Sequence, residues 1–152
     1  MTADDWEHEV ELAAMLRHGW RRAQVAMTRA LAENGLSGVE YHLLLAVSAS
    51  GEEGVHQVDL AQELDVPEGR VSTLAHQLVE RRLVEAVRAD ADRRYVRLRL
   101  RPDGRQLLQV AMRSQRERLL GVAREFPEDA VIRMVEFVLR RYLGLELTLQ
   151  RA

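Results

Sequence analysis

The sequence of 152 residues contains no cysteine and no lysine. Without cysteine, disulfides, thiolate metal sites, cysteine nucleophiles and thiol redox sensors are excluded. The chain also lacks any apolar run approaching about twenty residues, the length that spans a bilayer. Residues 1–11 are acidic and polar, whereas a signal peptide is basic and then apolar. We therefore expect a soluble protein of the cytoplasm that makes no contact with a membrane.

Sequence motifs of the common enzyme classes are missing as well. There is no glycine-rich phosphate loop, no HExxH zinc motif and no G-x-S-x-G nucleophile motif. The histidines have no HxxxH spacing, so no metal site is predicted, although distant side chains can converge on one. We predict no catalytic residue, no catalytic activity and no cofactor. The histidines are His8, His18, His42, His56 and His76.

Charge is unevenly distributed along the chain, although the net charge is only −2. Residues 1–69 carry 13 acidic and 4 basic side chains, residues 70–105 carry 5 and 10, and residues 106–152 carry 6 and 8. Every basic side chain is an arginine, whose planar guanidinium binds phosphate through paired hydrogen bonds. The middle segment is therefore either a phosphate-binding region or a solvated basic face.

The first third of the chain predicts two helices. Apolar residues recur every three or four positions over about residues 5–33, which indicates one long amphipathic helix. Asn34-Gly35 is expected to end this helix. Ser37 and Glu40 have the spacing of a capping box, and they start a second helix that runs to about Ala49.

The middle of the chain predicts a pair of short helices followed by a hairpin. A short strand is expected at residues 55–57, then helices over residues 58–64 and 67–82, the second opening at its proline. Asp65 lies in the tight turn between the two helices and is a residue type that accepts positive φ. This order of elements is typical of a winged helix-turn-helix.

Alternating apolar and polar residues predict two strands, over residues 83–88 and 95–100, joined by a polar loop. Two long helices follow, over about residues 102–126 and 127–150. The fold expected is mainly α with a small β-hairpin wing.

The second helix of the pair has the composition of a DNA recognition helix. Its apolar stripe is Val71, Leu74, Ala75, Leu78 and Val79. In the major groove arginine pairs with guanine and glutamine with adenine, while serine and threonine serve bases or phosphates. Arg93 and Arg94 in the hairpin loop could enter a minor groove. On the helix, the candidate DNA-binding residues are Arg70, Ser72, Thr73, His76 and Gln77.

The stretch DADRRYVRLRLRPDG resembles the wing signature D-x-R-x-x-x-V-x-L-T-x-x-G of the multiple-antibiotic-resistance regulator (MarR) family. Leu98 stands where the signature has valine, whereas Asp92, Arg94, Leu100 and Gly104 match it. VDLAQELDV and RVSTLAHQLVERRLV are similar to the helix-turn-helix of that family, and the likeness covers nearly the whole chain. The resemblance implies that Arg94 is the wing-tip arginine and that Asp92 positions it through a salt bridge.

The resemblance also implies a domain plan and a function. Residues 1–152 would form a single unit, in which residues 36–104 are the winged-helix DNA-binding lobe and residues 1–35 and 105–152 are dimerisation helices. The function implied is that of a transcriptional regulator that binds double-stranded DNA sequence-specifically. It would be a homodimeric repressor controlled by a small, often phenolic, effector. The effector residues to test first are Trp20, Met27, His42 and Met112, although such residues at helical spacing are more often core.

Apolar residues of the terminal helices independently favour a homodimer. They offer more apolar surface than one small winged-helix core can cover, unless they form a self-contained helical cap. A twofold dimer would require a roughly palindromic operator, with half-sites about 10 bp apart. The residues concerned include Val131, Ile132, Val135, Val138, Leu139, Tyr142, Leu145 and Leu149.

Three residues depart from the pattern of that family. Arg82 replaces a glycine, which costs about 1 kcal/mol if the left-handed conformation is kept. Arg101 replaces a threonine that would cap the next helix. Glu68, near the start of the recognition helix, faces phosphates unfavourably. Glu68 and the acidic first 69 residues motivate one alternative, a winged-helix module that binds another protein and not DNA.

Overall fold

The computed structural model describes residues 3–88 and 96–143. These residues form six helices and three strands, so the mainly α fold with a small β element is confirmed. In chain order the elements are α1 (Ala3–Glu33), α2 (Gly38–Ala49), β1 (Val55–His56), α3 (Gln57–Glu63), α4 (Glu68–Glu80), β2 (Val84–Arg88), β3 (Val96–Leu100), α5 (Pro102–Ala123) and α6 (Glu128–Leu143).

The described residues separate into two compact units. The central unit consists of residues 28–115, and the terminal-helix unit combines the described residues of 1–27 with those of 116–152. The boundaries between the units fall within α1 and α5, so each of these helices contributes residues to both.

The core of the central unit is formed by α2, α3, α4 and the sheet, together with Leu31 of α1 and with Leu108 and Ala111 of α5. Burying one such side chain contributes about 1.5–3 kcal/mol, so this cluster is the main source of stability. Tyr41 lies at its margin, and burial raises the pKa of its phenol above the ordinary value. The largest fully buried side chains are Leu43, Leu44, Val47, Leu60, Val71, Leu78, Val84 and Leu98.

The strands form one antiparallel sheet in the order β1-β3-β2. The predicted hairpin is the β2–β3 pair, in which Val84 lies opposite Leu100 and Arg88 opposite Val96. The short strand expected near residue 55 is β1, and Val55 pairs with Leu98. Leu98 is at the centre of the sheet and fully buried, which explains why this position requires an apolar residue.

Three helices of the central unit end in the same backbone turn, the Schellman motif. In each, one residue adopts a positive φ, and the following N–H bonds to the carbonyl five residues back. Gly35 and Asp65 were expected in such turns, and both are confirmed. The prediction for α4 was wrong by two residues, because Arg82 adopts φ 59° and the helix ends at Glu80. The closing bonds are Leu36 to Leu31 at 3.0 Å, Val66 to Ala61 at 3.0 Å and Leu83 to Leu78 at 2.9 Å.

The first turn of α5 packs directly on the backbone of Leu83. The Leu83 carbonyl accepts a hydrogen bond from the Arg101 N–H at 3.0 Å. A Cβ at Gly104 would lie 2.0 Å from that same carbonyl oxygen, so only glycine fits without a shift of the backbone. Close packing therefore explains the glycine of the wing signature.

The terminal-helix unit contains an apolar cavity of about 360 Å³ that is open to solvent. Its lining includes Leu16, Trp20, Phe126, Met134 and Val138. An Arg22–Glu125 ion pair and an edge-on contact between His18 and Phe126 join α1 to the α5–α6 turn. Across residues 3–88 and 96–143, no helix combines the length and apolar character needed to cross a membrane.

Replacing Gly104 with alanine should destabilise the central unit by about 1–3 kcal/mol, the usual cost of overpacking a close contact. Urea unfolding followed by circular dichroism measures this change. Gly121→Ala is the matched control in the same helix, because a Cβ there meets nothing within 4 Å. That control should gain up to about 1 kcal/mol from helix propensity. Equal stability of the two variants would contradict the packing role of Gly104.

Arg82→Gly should stabilise the protein by about 1 kcal/mol, because glycine adopts the left-handed conformation without strain. The midpoint of urea unfolding is the measurement. Arg82→Ala removes the same charge but keeps a Cβ at φ 59°, so it should leave the stability close to that of the wild type. If both variants were equally stabilised, the effect would come from the charge and not from the backbone.

Candidate DNA-binding surface

Helix α4 has one buried face and one exposed polar face, as the sequence predicts. Val71, Ala75 and Leu78 are buried, and Leu74 and Val79 are partly buried. The exposed side chains are Glu68, Arg70, Ser72, Thr73, His76 and Gln77, which include all five candidate DNA-binding residues of this helix. Packing of the apolar stripe on the core thus turns the polar side chains to solvent.

Local contacts limit what two of these side chains can offer to a base. The Thr73 hydroxyl donates to the Gly69 carbonyl at 2.9 Å, so its oxygen is left chiefly as an acceptor. His76 Nε2 lies 3.4 Å from a Glu80 carboxylate oxygen one turn further on. The Gln77 amide carries both donors and an acceptor, the combination that pairs with adenine.

The amino-terminal end of α4 carries no side-chain cap. Pro67 is the N-cap residue and the helix begins at Glu68, one residue later than predicted. The exposed carboxylate of Glu68 interacts favourably with the helix dipole, by about 0.3–1 kcal/mol. It also occupies the end of the helix where a phosphate would otherwise be attracted. Beside it lies a polar cleft of about 350 Å³, lined by His56, Glu68 and Ser72 among others.

Several arginines of the basic middle segment make contacts within the protein. The Arg97 Nη1 group donates a hydrogen bond to the Glu53 carbonyl oxygen at 3.2 Å. Arg101 Nη1 lies 4.0 Å from the Glu85 carboxylate. Arg81 binds Glu40 at 2.8 Å. Of these contacts, only the Arg81–Glu40 pair brings in an acid from outside residues 70–105, so the excess of positive charge in this segment overstates by one the charge that is free to meet phosphate. These pairings could not be predicted from the sequence, because no local pattern indicates which residues meet.

The predicted wing-tip residues Asp92, Arg93 and Arg94 lie outside the described residues. The strands that carry their loop, β2 and β3, are described up to Arg88 and from Val96. The roles of the three residues, including the salt bridge from Asp92 to Arg94, stay predictions.

The predicted effector residues belong to different units. Trp20 lines the apolar cavity of the terminal-helix unit, and Met27, partly buried, lies in the same unit. His42 and Met112 belong to the central unit and are exposed. Phe126 and Met134, which the sequence did not single out, also line the cavity. Within the described chain, no three histidine or acidic side chains are grouped closely enough to hold a metal ion.

Comparison with known proteins agrees with this architecture. A model of the MarR family matches residues 34–94. No curated protein matches the sequence. The YusO protein of Bacillus subtilis has a similar structure, with a TM-score of 0.75 and 14% sequence identity, over 95% of this chain and 100% of that one.

Two further structures add information about ligands of related proteins. A mutant MepR from S. aureus, bound to an oligodeoxyribonucleotide, has a TM-score of 0.69 and 18% identity over 88% of this chain and 97% of that one. BpsR of Bordetella bronchiseptica, whose DNA binding is regulated by 6-hydroxynicotinic acid, has a TM-score of 0.62 and 20% identity, over 88% and 94%. Residues 34–94 thus match the model of the MarR family, and the described chain shares the winged-helix fold of these structures.

Gln77→Ala should relax base preference at one position of a bound site, at a cost of about 1–3 kcal/mol for the preferred base. Thr73→Ala should change the preference at another position. Selection of binding sites from a random duplex library would reveal both changes. Gln109→Ala on α5, an equally exposed amide, is the control and should leave the selected sequence unchanged. An identical motif for Gln77→Ala and the wild type would contradict this role.

Proposed function

We propose that this protein is a sequence-specific regulator of transcription that binds double-stranded DNA through α4 and the wing. The observation that carries the proposal is the exposed polar face of α4, with Arg70, Ser72, Thr73, His76 and Gln77 turned to solvent. The fold and the family match of residues 34–94 support it. The structure of MepR with an oligodeoxyribonucleotide is a precedent for DNA binding by this fold.

We further propose that the protein acts as a homodimeric repressor in the cytoplasm. In the terminal-helix unit, Trp6, Val10, Ile132 and Val135 are each more than 40% exposed. Large apolar side chains left exposed on both α1 and α6 favour a partner that covers them. Residues 1–35 and 105–152 would supply the dimer contacts, and residues 36–104 would bind one half-site of a pseudo-palindromic operator.

Control by a small aromatic effector is the third part of the proposal. BpsR, which shares the fold, responds to 6-hydroxynicotinic acid. In this chain Trp20 is the first residue to test, since it lines an apolar cavity large enough for one aromatic ring. Met27, His42 and Met112 remain the other candidates.

A protein-binding adaptor is the alternative, and one observation favours it. Glu68 is exposed at the start of α4, where it opposes phosphate, while Arg81 and Arg101 form ion pairs with Glu40 and Glu85 at the protein surface. An adaptor would not need the free positive charge that DNA binding uses.

Binding to the promoter beside its own gene, measured by fluorescence anisotropy at several salt concentrations, separates the two functions. A dimer that contacts several phosphates should lose about a thousandfold in affinity between roughly 50 and 200 mM salt. Arg94→Ala should weaken binding and leave the melting temperature unchanged, because a loop-tip arginine packs against little. Arg113→Ala, an exposed arginine on α5, is the control. Absent or salt-insensitive binding would reject the DNA-binding function.

A further inference from the structure

Arg81, the C-cap residue of α4, connects this helix to the turn between α1 and α2. Its Nη1 group donates to Glu40 Oε1 at 2.8 Å, and its Nη2 group donates to the Gly35 carbonyl at 3.0 Å. The Glu40 side chain is only 13% exposed, against 38% for Arg81. The pair is therefore better shielded from solvent than an ordinary surface ion pair.

The Glu40 carboxylate is held in place from its other side. Glu40 Oε2 accepts the Ser37 N–H at 2.7 Å, and the Ser37 hydroxyl accepts the Glu40 N–H at 3.3 Å, which completes the capping box of α2. Gly35 is the left-handed residue that ends α1. One guanidinium thus links the end of α1, the start of α2 and the end of α4. The sequence predicts Glu40 only as part of a helix cap.

The contacts of Arg81 matter for the position of the end of α4 for two reasons. Arg82, the next residue, adopts the left-handed conformation, which a side chain disfavours. The Arg81 N–H also bonds to the Gln77 carbonyl at 3.0 Å, so Gln77 lies about one turn before Arg81. A displacement of Arg81 would therefore move a side chain of the polar face.

We infer that Arg81 and Glu40 are positioning residues that set the orientation of α4 for base recognition. The inference rests on the proposed function, because it concerns how the same surface reads DNA. Neither residue needs to touch DNA. Loss of the pair should weaken binding to a specific sequence and leave non-specific binding, which depends on charge, largely unchanged.

Glu40→Gln separates this positioning role from simple electrostatics, since the two make opposite predictions. Glutamine at this position retains a capping box but cannot form the ion pair. Removing an acidic group should by itself strengthen attraction to DNA. If the pair positions α4, Glu40→Gln should instead weaken specific binding by roughly tenfold. Glu52→Gln, which neutralises an exposed acid in the turn before β1, is the matched control and should not weaken binding.

The measurement is fluorescence anisotropy of the full-length protein with two duplexes, the promoter fragment beside its own gene and a shuffled version of equal composition. Glu40→Gln should lose affinity for the promoter fragment only. Arg81→Gln should show a similar loss for that fragment and, because it also removes a positive charge, a small loss for the shuffled duplex. The double variant should lose no more preference for the promoter fragment than either single variant, because each breaks the same contact. Losses that multiply in the double variant, or unweakened binding by Glu40→Gln, would overturn the inference. Circular dichroism confirms that each variant is folded, and Arg81→Lys, which retains the charge, should show a smaller loss.

Failure of the proposed function has a different signature. If the wild type does not prefer the promoter fragment over the shuffled duplex, sequence-specific regulation at that site is rejected. Hydrogen exchange without DNA then tests the positioning role alone. The amides of residues 77–83 should exchange faster in Glu40→Gln than in Glu52→Gln. Equal exchange in the two variants would overturn the inference.

Discussion

The two backbone hydrogen bonds of Leu83 are the constraint on which the central unit depends. The Leu83 N–H closes the end of α4, and its carbonyl accepts the Arg101 N–H at the start of α5. Gly104 packs against the same carbonyl. One buried residue thus fixes where α4 ends, where β2 begins and where α5 starts. Because the constraint is made by backbone atoms, it survives extensive change of side chains, in keeping with a fold shared at 14% identity.

This constraint also explains the left-handed conformation of Arg82. The chain must reverse within a few residues for Leu83 both to bond to Leu78 and to enter β2, and the Schellman turn requires a positive φ at that point. Arginine adopts it at a cost of about 1 kcal/mol, which the closing hydrogen bonds and the contacts of Arg81 offset. The turn is dictated by the topology, and the residue type only sets its cost.

Features with a local cause could be predicted from the sequence. The turns at Gly35 and Asp65, the capping box of Ser37 and Glu40, and the apolar stripe of α4 all depend on residues a few positions apart. The Arg81–Glu40 pair could not be predicted, because it joins residues 41 apart and leaves no periodic signal. The end of α4 was misjudged for a related reason, since arginine has no preference for positive φ. The sequence alone also could not show which arginines make contacts with other residues of the chain.

The distribution of charge has a consequence for the kind of DNA binding that this fold can support. Non-specific affinity rises with the number of phosphates that are neutralised, and here Glu68 opposes one such contact while Arg81 and Arg101 are paired with acidic side chains of the protein. Under the proposed function, base recognition would depend instead on the geometry of side chains such as Gln77, and a low positive charge does not disturb that geometry. Low non-specific affinity raises the ratio of specific to non-specific binding, the quantity that decides occupancy among many competing sites. A net charge of −2 is thus compatible with a selective regulator, provided that α4 is held rigidly.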